Sequence, residues 1–254
     1  MNLFNSLIIA FSTYSQIPMP QVQWNERNMK YSICFFPAIG IVIAAIFLLW
    51  LYFCQLFQFG SMFMGVTAAL LPVLISGGIH MDGLCDTADA LASHQSQEKK
   101  LLILKDSHCG AFAVIICVCY LLLACAVFSE IKDMQQGLMI ALIFVLSRSV
   151  SGFALVTLKH NPASSLLKAF AESAHKKTVR AAMILYIIPV CCALLLINII
   201  YGIAALVACA ATFVYYRHMA YKHFSGITGD LAGFFLQLTE LIVPLTIIIL
   251  GRII

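Results

Sequence analysis

Asp82, Asp86 and Asp89 fall within eight residues of a chain in which only 10% of residues are charged. On a helix turning about 100° per residue their directions are roughly 0°, 40° and −20°, so the three carboxylates share one face. Like charges this close repel unless something positive sits among them, and a hard, oxygen-seeking dication such as Mg²⁺ is the usual partner. A solvated helix cap is the simpler alternative, but a cap needs one Asp and not three in register. Gly77 and Gly78 precede the acidic segment, and Gly83 beside Asp82 permits close approach of backbone or ligand. His80 points about 160° from Asp82 if the helix already runs through both, so it joins the carboxylates only from a turn. It reads as a general base or phosphate partner, or else as a turn histidine satisfied by its own hydrogen bonds.

Two further groups carry related chemistry. Lys105-Asp106-Ser107-His108-Cys109-Gly110 opens an apolar run. Asp106 and Ser107 are good N-cap residues, and a helix N-terminus favours anions. Lys105 is placed to meet phosphate, and Asp106 is a candidate ligand to a second metal. Gly226-Ile227-Thr228-Gly229-Asp230 precedes the last apolar run. Its two glycines and hydroxyl beside an acid suit a loop wrapped on phosphate or metal, or a plain turn and helix cap. Arg148 and Glu240 lie inside apolar runs, each about ten residues from one end and hence roughly 15 Å deep. Charges at that depth face a partner or a wet cavity. Their equal depth suggests an Arg148–Glu240 pair; the alternative puts Arg148 on the floor of a polar cavity, reaching a substrate phosphate.

The elements that must position these residues are membrane helices. The chain is 62% hydrophobic over 254 residues, with a mean hydropathy of +0.98, values of a polytopic membrane protein. Its apolar runs are helix-length and lack the alternating ten-residue pattern of a membrane barrel. The expected fold is all-α, a single membrane-embedded domain over residues 1–254, without linker or repeat. The hydropathy pattern predicts spans over about 33–58, 61–77, 109–128, 137–158, 181–201, 203–216 and 231–250. Residues 3–17 form a shorter apolar stretch closed by Pro18 and Pro20. No Lys or Arg precedes it and no cleavage site is clear, so an interfacial or re-entrant helix is expected and a signal peptide is not. Cys117, Cys119, Cys125, Cys191, Cys192 and Cys209 lie inside apolar runs and read as packing residues. No Cys/His spacing suits zinc, and a net charge of +4 gives no reason to invoke nucleic acid.

Basic residues orient this layout. Arg27, Lys30, Lys99, Lys100, Lys105, Lys159, Lys168, Lys176, Lys177, Arg180, Arg217 and Lys222 fall on one side of the seven spans, against Lys132 and Arg252 on the other. The positive-inside rule makes the first side cytoplasmic. His80, Asp82, Asp86, Asp89, Asp106 and Asp230 all land there, whereas Glu130 and Asp133 beside Lys132 form an ordinary outer loop. The basic stretch 159–180 suits anionic headgroups or a nucleotide, and plain positive-inside bias explains it equally well.

On these residues the chain resembles the cobalamin synthase family, the adenosylcobinamide-GDP ribazoletransferases. The resemblance is carried by Gly77-Gly78-Ile79-His80-Met81-Asp82-Gly83-Leu84-Cys85-Asp86-Thr87-Ala88-Asp89, by Lys105-Asp106-Ser107, and by Thr228-Gly229-Asp230 with Glu240 downstream. Ser15-Gln16-Ile17-Pro18-Met19-Pro20 and Phe36-Pro37-Ala38-Ile39-Gly40 add to it. Ala90 and Ala113 stand where the family often has Gly, and His108 where it often has Arg; no carboxylate is lost. The resemblance implies a Mg²⁺-dependent phosphoryl transfer at the bacterial cytoplasmic membrane. The ribose 3′-hydroxyl of α-ribazole, or of its 5′-phosphate, attacks the cobinamide-linked phosphoryl group of adenosylcobinamide-GDP, and GMP leaves. Asp82, Asp86 and Asp89 would be the core metal ligands, completed by Asp106 or Asp230. Lys105, Ser107, Arg148, Thr228 and Gly229 would meet substrate, and a metal-bound carboxylate or His80 would take the hydroxyl proton.

Two other readings compete. CDP-alcohol phosphotransferases also set an Asp-Gly and spaced aspartates on membrane helices, but Leu84-Cys85 stand where they carry Ala-Arg. A proton- or ion-coupled transporter would use Asp82, Arg148 and Glu240 as a path, although the acids gather at one surface and no halves of the chain repeat.

Overall fold

A helix satisfies its own backbone donors and acceptors, so long apolar runs enter a hydrocarbon layer as helices. The computed structural model describes residues 3–161 and 174–253. In chain order its helices are α1 (Leu3–Tyr14), α2 (Glu26–Met29), a 3₁₀ turn (Ser32–Phe35), α3 (Phe36–Leu56), α4 (Ser61–Ser76), α5 (Ile79–Ala92), α6 (Gln97–Ile103), α7 (Ala111–Ser129), α8 (Met134–Thr157), α9 (Lys176–Ile197), α10 (Ile199–Phe224) and α11 (Gly229–Ile253). Among the described residues six segments are long and apolar enough to cross a membrane: Glu26–Leu56 and each of α7 to α11. The pair α4 and α5 makes a seventh candidate, broken by a 96° bend. We take α4 as its spanning part and α5, with its three carboxylates, as lying outside the spanning segments.

Helix α8 is the central post, packed against α3, α9 and α11. It is apolar nearly all round, as an interior helix must be. Gly40 of α3 lies against the Phe144–Val145 backbone of α8, an approach that any side chain would block. The outer helices present Phe112, Val114, Ile115, Leu122, Leu185, Leu196, Val207 and Val214 outward, a surface suited to lipid tails. Helix α1 is too short to cross, about 18 Å at 1.5 Å per residue, and buries Ile8, Ile9, Ala10 and Phe11 against the bundle.

Seven apolar segments are therefore found where they were expected, with shifted ends. The stretch expected at 203–216 is the 26-residue α10, and the break before it lies at Asn198, not near 202. Asn198 is extended, and its side chain accepts hydrogen bonds from Ile200 N and Tyr201 N. An Asn cap can start a helix inside an apolar run where hydropathy shows no boundary. Similarly, Asp133 accepts from Gln136 N at 2.8 Å and starts α8 at Met134, so it is a cap as well as a loop residue. The ten cysteines are unpaired. Lys168 and most of the basic stretch 159–180 lie outside the described residues.

Candidate active site

The site is built on the break between α4 and α5. Gly77 and Gly78 both take positive φ, +66° and +77°, a conformation that costs other residues steric strain. Gly77 N donates to Leu74 O and Gly78 N to Val73 O, the left-handed cap that ends a helix on glycine. The chain turns sharply there, and α5 leaves with its acidic face set by the 3.6-residue repeat.

Packing of α5 against α11 and α7 then gathers the carboxylates. Gly83 lies directly on the Asp230 backbone; a Cβ there would come within 2.5 Å of Asp230 O. Asp230, 141 positions beyond Asp89 in the sequence, is brought to the acidic face. Burial, together with the charges of Asp82, Asp230 and Asp89, pushes the Asp86 carboxyl up to about 7. Asp82, Asp230 and Asp89 thus all act on Asp86.

The other expected site residues divide. Asp89 accepts from Gly110 N at 2.6 Å and from Ala113 N at 2.8 Å, one bond to each carboxylate oxygen. It caps α7 from a different helix, whereas the expected caps, Asp106 and Ser107, precede the helix by several residues. Asp106 instead accepts from His108 N and meets His108 Nδ1 at 2.6 Å on an exposed loop. Those hydrogen bonds hold its carboxyl low, and it is not among the groups acting on Asp86. Lys105 and Ser107 are exposed on the same loop. Thr228 is buried and caps α11, its Oγ1 accepting from Leu231 N. The loop Gly226–Asp230 is tied down by the start of the basic stretch 159–180. Ile227 N donates to Lys159 O, Asn161 N to Ile227 O and Asn161 Nδ2 to Phe224 O. Gly226, at φ +145°, lies against the 159–161 backbone.

Between α1, α3, α5, α8 and α11 lies a cavity of about 130 Å³. His80, Asp82, Gly229 and Asp230 line it together with Tyr14, Phe36 and Ser151. His80 is on the first turn of α5, away from the carboxylate face as the helical angle requires, yet it reaches the same cavity. It is buried between the rings of Tyr14 and Phe36, whose centroids are 6.3 Å and 5.8 Å away. Its Nε2 is buried without a hydrogen-bond partner among the described residues. Burial and the charge of Arg148 push its pKa down to about 3, so the ring is neutral. Tyr14, Ser151 and Gly152 were not singled out by sequence reasoning; Phe36 stood in a recognised segment, and Tyr14 immediately before one.

Comparison with known proteins adds to this geometry. The family model described as cobalamin-5-phosphate synthase matches residues 6–248. The chain belongs to the cobalamin-5-phosphate synthase family. An adenosylcobinamide-GDP ribazoletransferase of Lachnoclostridium phytofermentans is 42% identical over 249 residues, covering 98% of this chain and 95% of its own. Enzymes of the same name from Clostridium perfringens and Clostridium botulinum are 30% and 29% identical, each covering more than nine-tenths of both chains. No solved structure matches. This family member is accordingly a transferase of late cobalamin assembly with several membrane-spanning helices, and the transporter and CDP-alcohol readings fall away.

Beneath the cavity of this family member, Arg148 and Glu240 form the pair that equal depth suggested. Arg148 Nη1 meets Glu240 Oε1 at 2.6 Å, and both side chains are fully buried. Ser147 Oγ donates to the same oxygen at 2.7 Å, and Arg148 Nη1 also donates to Phe144 O. Arg148 does not line the cavity: its Nη1 is engaged by Glu240 and the Phe144 carbonyl, and its Nε and Nη2 are buried with no hydrogen-bond partner among the described residues. Its guanidinium stands 6.0 Å from the Phe36 ring, so the pair supports the wall that holds His80.

The residues suit a magnesium ion in kind. The donors are hard carboxylate oxygens, and the mutual repulsion around Asp86 is what a cation would relieve. Among the described residues no three His, Cys, Asp or Glu side chains could hold a metal by themselves. Mg²⁺ is commonly bound through one or two carboxylates, with waters and substrate phosphates completing the shell.

Proposed function

We propose that this enzyme transfers the cobinamide phosphoryl group of adenosylcobinamide-GDP to the ribose 3′-hydroxyl of α-ribazole or its 5′-phosphate. The reaction releases GMP at the cytoplasmic face of the bacterial inner membrane. The observation that carries the reading is that a neutral His80, Asp82 and Asp230 line one cavity, beside the Asp86 carboxyl that its neighbouring aspartates push upward.

A bond forms between the hydroxyl oxygen and phosphorus, and the bond from phosphorus to the GMP oxygen breaks. Such transfers require alignment and charge neutralisation more than covalent assistance. His80 Nε2, which has a free lone pair in the tautomer protonated on Nδ1, accepts a hydrogen bond from the attacking hydroxyl and orients it. With the His80 pKa held low, the proton goes to a carboxylate of the acidic face. Asp82 and Asp86, with Asp230 opposite, would hold Mg²⁺, which when bound neutralises the pyrophosphate and the departing GMP. Asp89 contributes by fixing the start of α7 and with it the loop carrying Lys105 and Ser107. These two are assigned to the outer phosphates, with Gly229 leaving room for substrate. Asp106, paired with His108 on the same loop, is the candidate for a second ion.

The test is GMP release by detergent-solubilised protein from adenosylcobinamide-GDP and α-ribazole, with and without Mg²⁺. The expected result is GMP and cobalamin in equal amounts only with the metal. Equal rates in its absence would remove the metal from the reading, and no transfer by folded protein would overturn the reaction.

A further inference from the structure

Helix α6 is only seven residues long, and a helix that short gains little from its own turns, so what fastens it decides where it lies. It is fastened to the C-terminal end of α10. Gln97 donates from Nε2 to Lys222 O, 125 positions further on, at 2.7 Å, and accepts at Oε1 from Ser225 Oγ at 2.5 Å. Lys100 is buried and sets its ammonium 3.2 Å from His223 Nδ1. An ammonium can only donate, so Nδ1 accepts and the ring proton is on Nε2. Among the described residues no carboxylate pairs with Lys100. Burying a charge is costly unless it is hydrogen-bonded, so the contact with His223 is what settles Lys100, and α6 with it, on α10.

The turn that α6 grips is strained. Ser225 ends α10 at φ +57°, the left-handed region that residues other than glycine avoid. Such a conformation persists where its surroundings over-determine it, and it concentrates near functional sites. Gln97 holds this turn from one side, and the bonds of Ile227 to the 159–161 backbone hold it from the other. A few residues on, the same chain sets Asp230 against Gly83. At its other end α6 runs directly into the loop of Lys105 and Ser107, with Leu104 buried at the junction. It packs on α5 as well as on α10. Resting on the transfer reaction proposed above, we infer that Gln97, Lys100 and His223 are positioning residues. Through them α6 holds the Lys105–Ser107 loop and the Asp230 turn in one arrangement on the two sides of the acidic face. None of the three lines the cavity; they act through the phosphate-facing loop and the Asp230 carboxylate.

Steady-state rates of the full chain in detergent test this, with Mg²⁺ and each substrate varied in turn. Gln97→Ala, at an exposed position, and His223→Leu both break the attachment, whereas His223→Asn keeps an acceptor in the place of Nδ1. Gln97→Ala and His223→Leu are expected to raise the half-saturating Mg²⁺ and the KM for adenosylcobinamide-GDP about tenfold, as loss of a group that orients ligands does. The KM for α-ribazole is expected to stay unchanged, and His223→Asn to remain near wild type. Backbone hydrogen exchange gives a readout without turnover: in Gln97→Ala it is expected to quicken in residues 104–110 and 225–231 together. The inference is overturned, with the reaction left standing, by unchanged constants in both breaking variants or by an equal rise in every constant. Impairment of His223→Asn as deep as that of His223→Leu, or faster exchange confined to α6, would overturn it as well. A wild type that releases no GMP overturns the reaction itself, and the positioning role falls with it.

Discussion

Asp86 and Asp89 sit three positions apart on one helix and hold different occupations. Both oxygens of Asp89 already accept backbone N–H groups of α7, whereas Asp86 meets only other carboxylates among the charges acting on it. Asp89→Ala should cost about 1–2 kcal/mol of stability, as loss of a helix cap does, measured by thermal unfolding in detergent. Asp86→Asn should leave the melting temperature unchanged or higher, because it removes a repelled charge, and should lower turnover at limiting Mg²⁺ about 100-fold. Reversal of that pattern between the two variants would exchange their roles. Asp86 also predicts a pH effect. A carboxyl raised to about 7 carries a proton below that pH, and a cation must displace it. The Mg²⁺ concentration for half-maximal rate should therefore rise about tenfold per pH unit below 7 and level off above it. A flat profile between pH 6 and 8 would exclude Asp86 as a ligand.

Helix α5 works through where it is held. Its contact with α11 depends on Gly83, whose hydrogen faces Asp230 O; Gly83→Ala must push the two helices apart. Overpacking of this kind costs about 1–3 kcal/mol, and here it also separates Asp82 from Asp230. Activity should fall more in Gly83→Ala than in Gly40→Ala, which overpacks α3 against α8 away from the carboxylates; equal losses of activity and stability in the two would count against the assignment. The α8–α11 contact depends on Arg148 and Glu240. Removing one partner leaves a charge buried and unpaired, at a cost of about 3–5 kcal/mol. Glu240→Gln should accordingly melt well below wild type, and the exchanged pair Arg148→Glu with Glu240→Arg should regain much of the loss. Full stability of Glu240→Gln alone would show that the pair holds nothing together.

At the scale of the whole molecule, the helix ends that carry most Lys and Arg also carry the carboxylates, so orientation and chemistry stand together. Cys109 is exposed on the loop between α6 and α7, on the side that the basic residues mark as cytoplasmic. A membrane-impermeant maleimide should label it in inside-out vesicles and spare it in right-side-out ones. Labelling in the opposite preparation would invert the topology and turn the site away from cytoplasmic nucleotides.

Composition and hydropathy were enough for the all-helical membrane architecture, because burial in lipid leaves a chain few alternatives. The shared face of Asp82, Asp86 and Asp89 was equally legible, since helical periodicity is a local property. The pairing of Arg148 with Glu240 was one of the two readings that their equal depth left open, because an unpartnered charge at that level needs either a partner or a wet cavity. The start of α10 at Asn198 was not legible, for a single polar residue hardly changes a hydropathy average. Nor was the division of labour within the acidic face. Whether Asp89 caps a helix or faces a ligand depends on where α7 begins in space, and Asp106 and Asp230 were equivalent candidates until packing joined one of them to α5. The cavity beside His80 draws on five helices from α1 to α11, so no window of sequence contains it. Periodicity and the exclusion of charge from lipid act through neighbours in sequence; caps, counter-ions and cavities are made by neighbours in space.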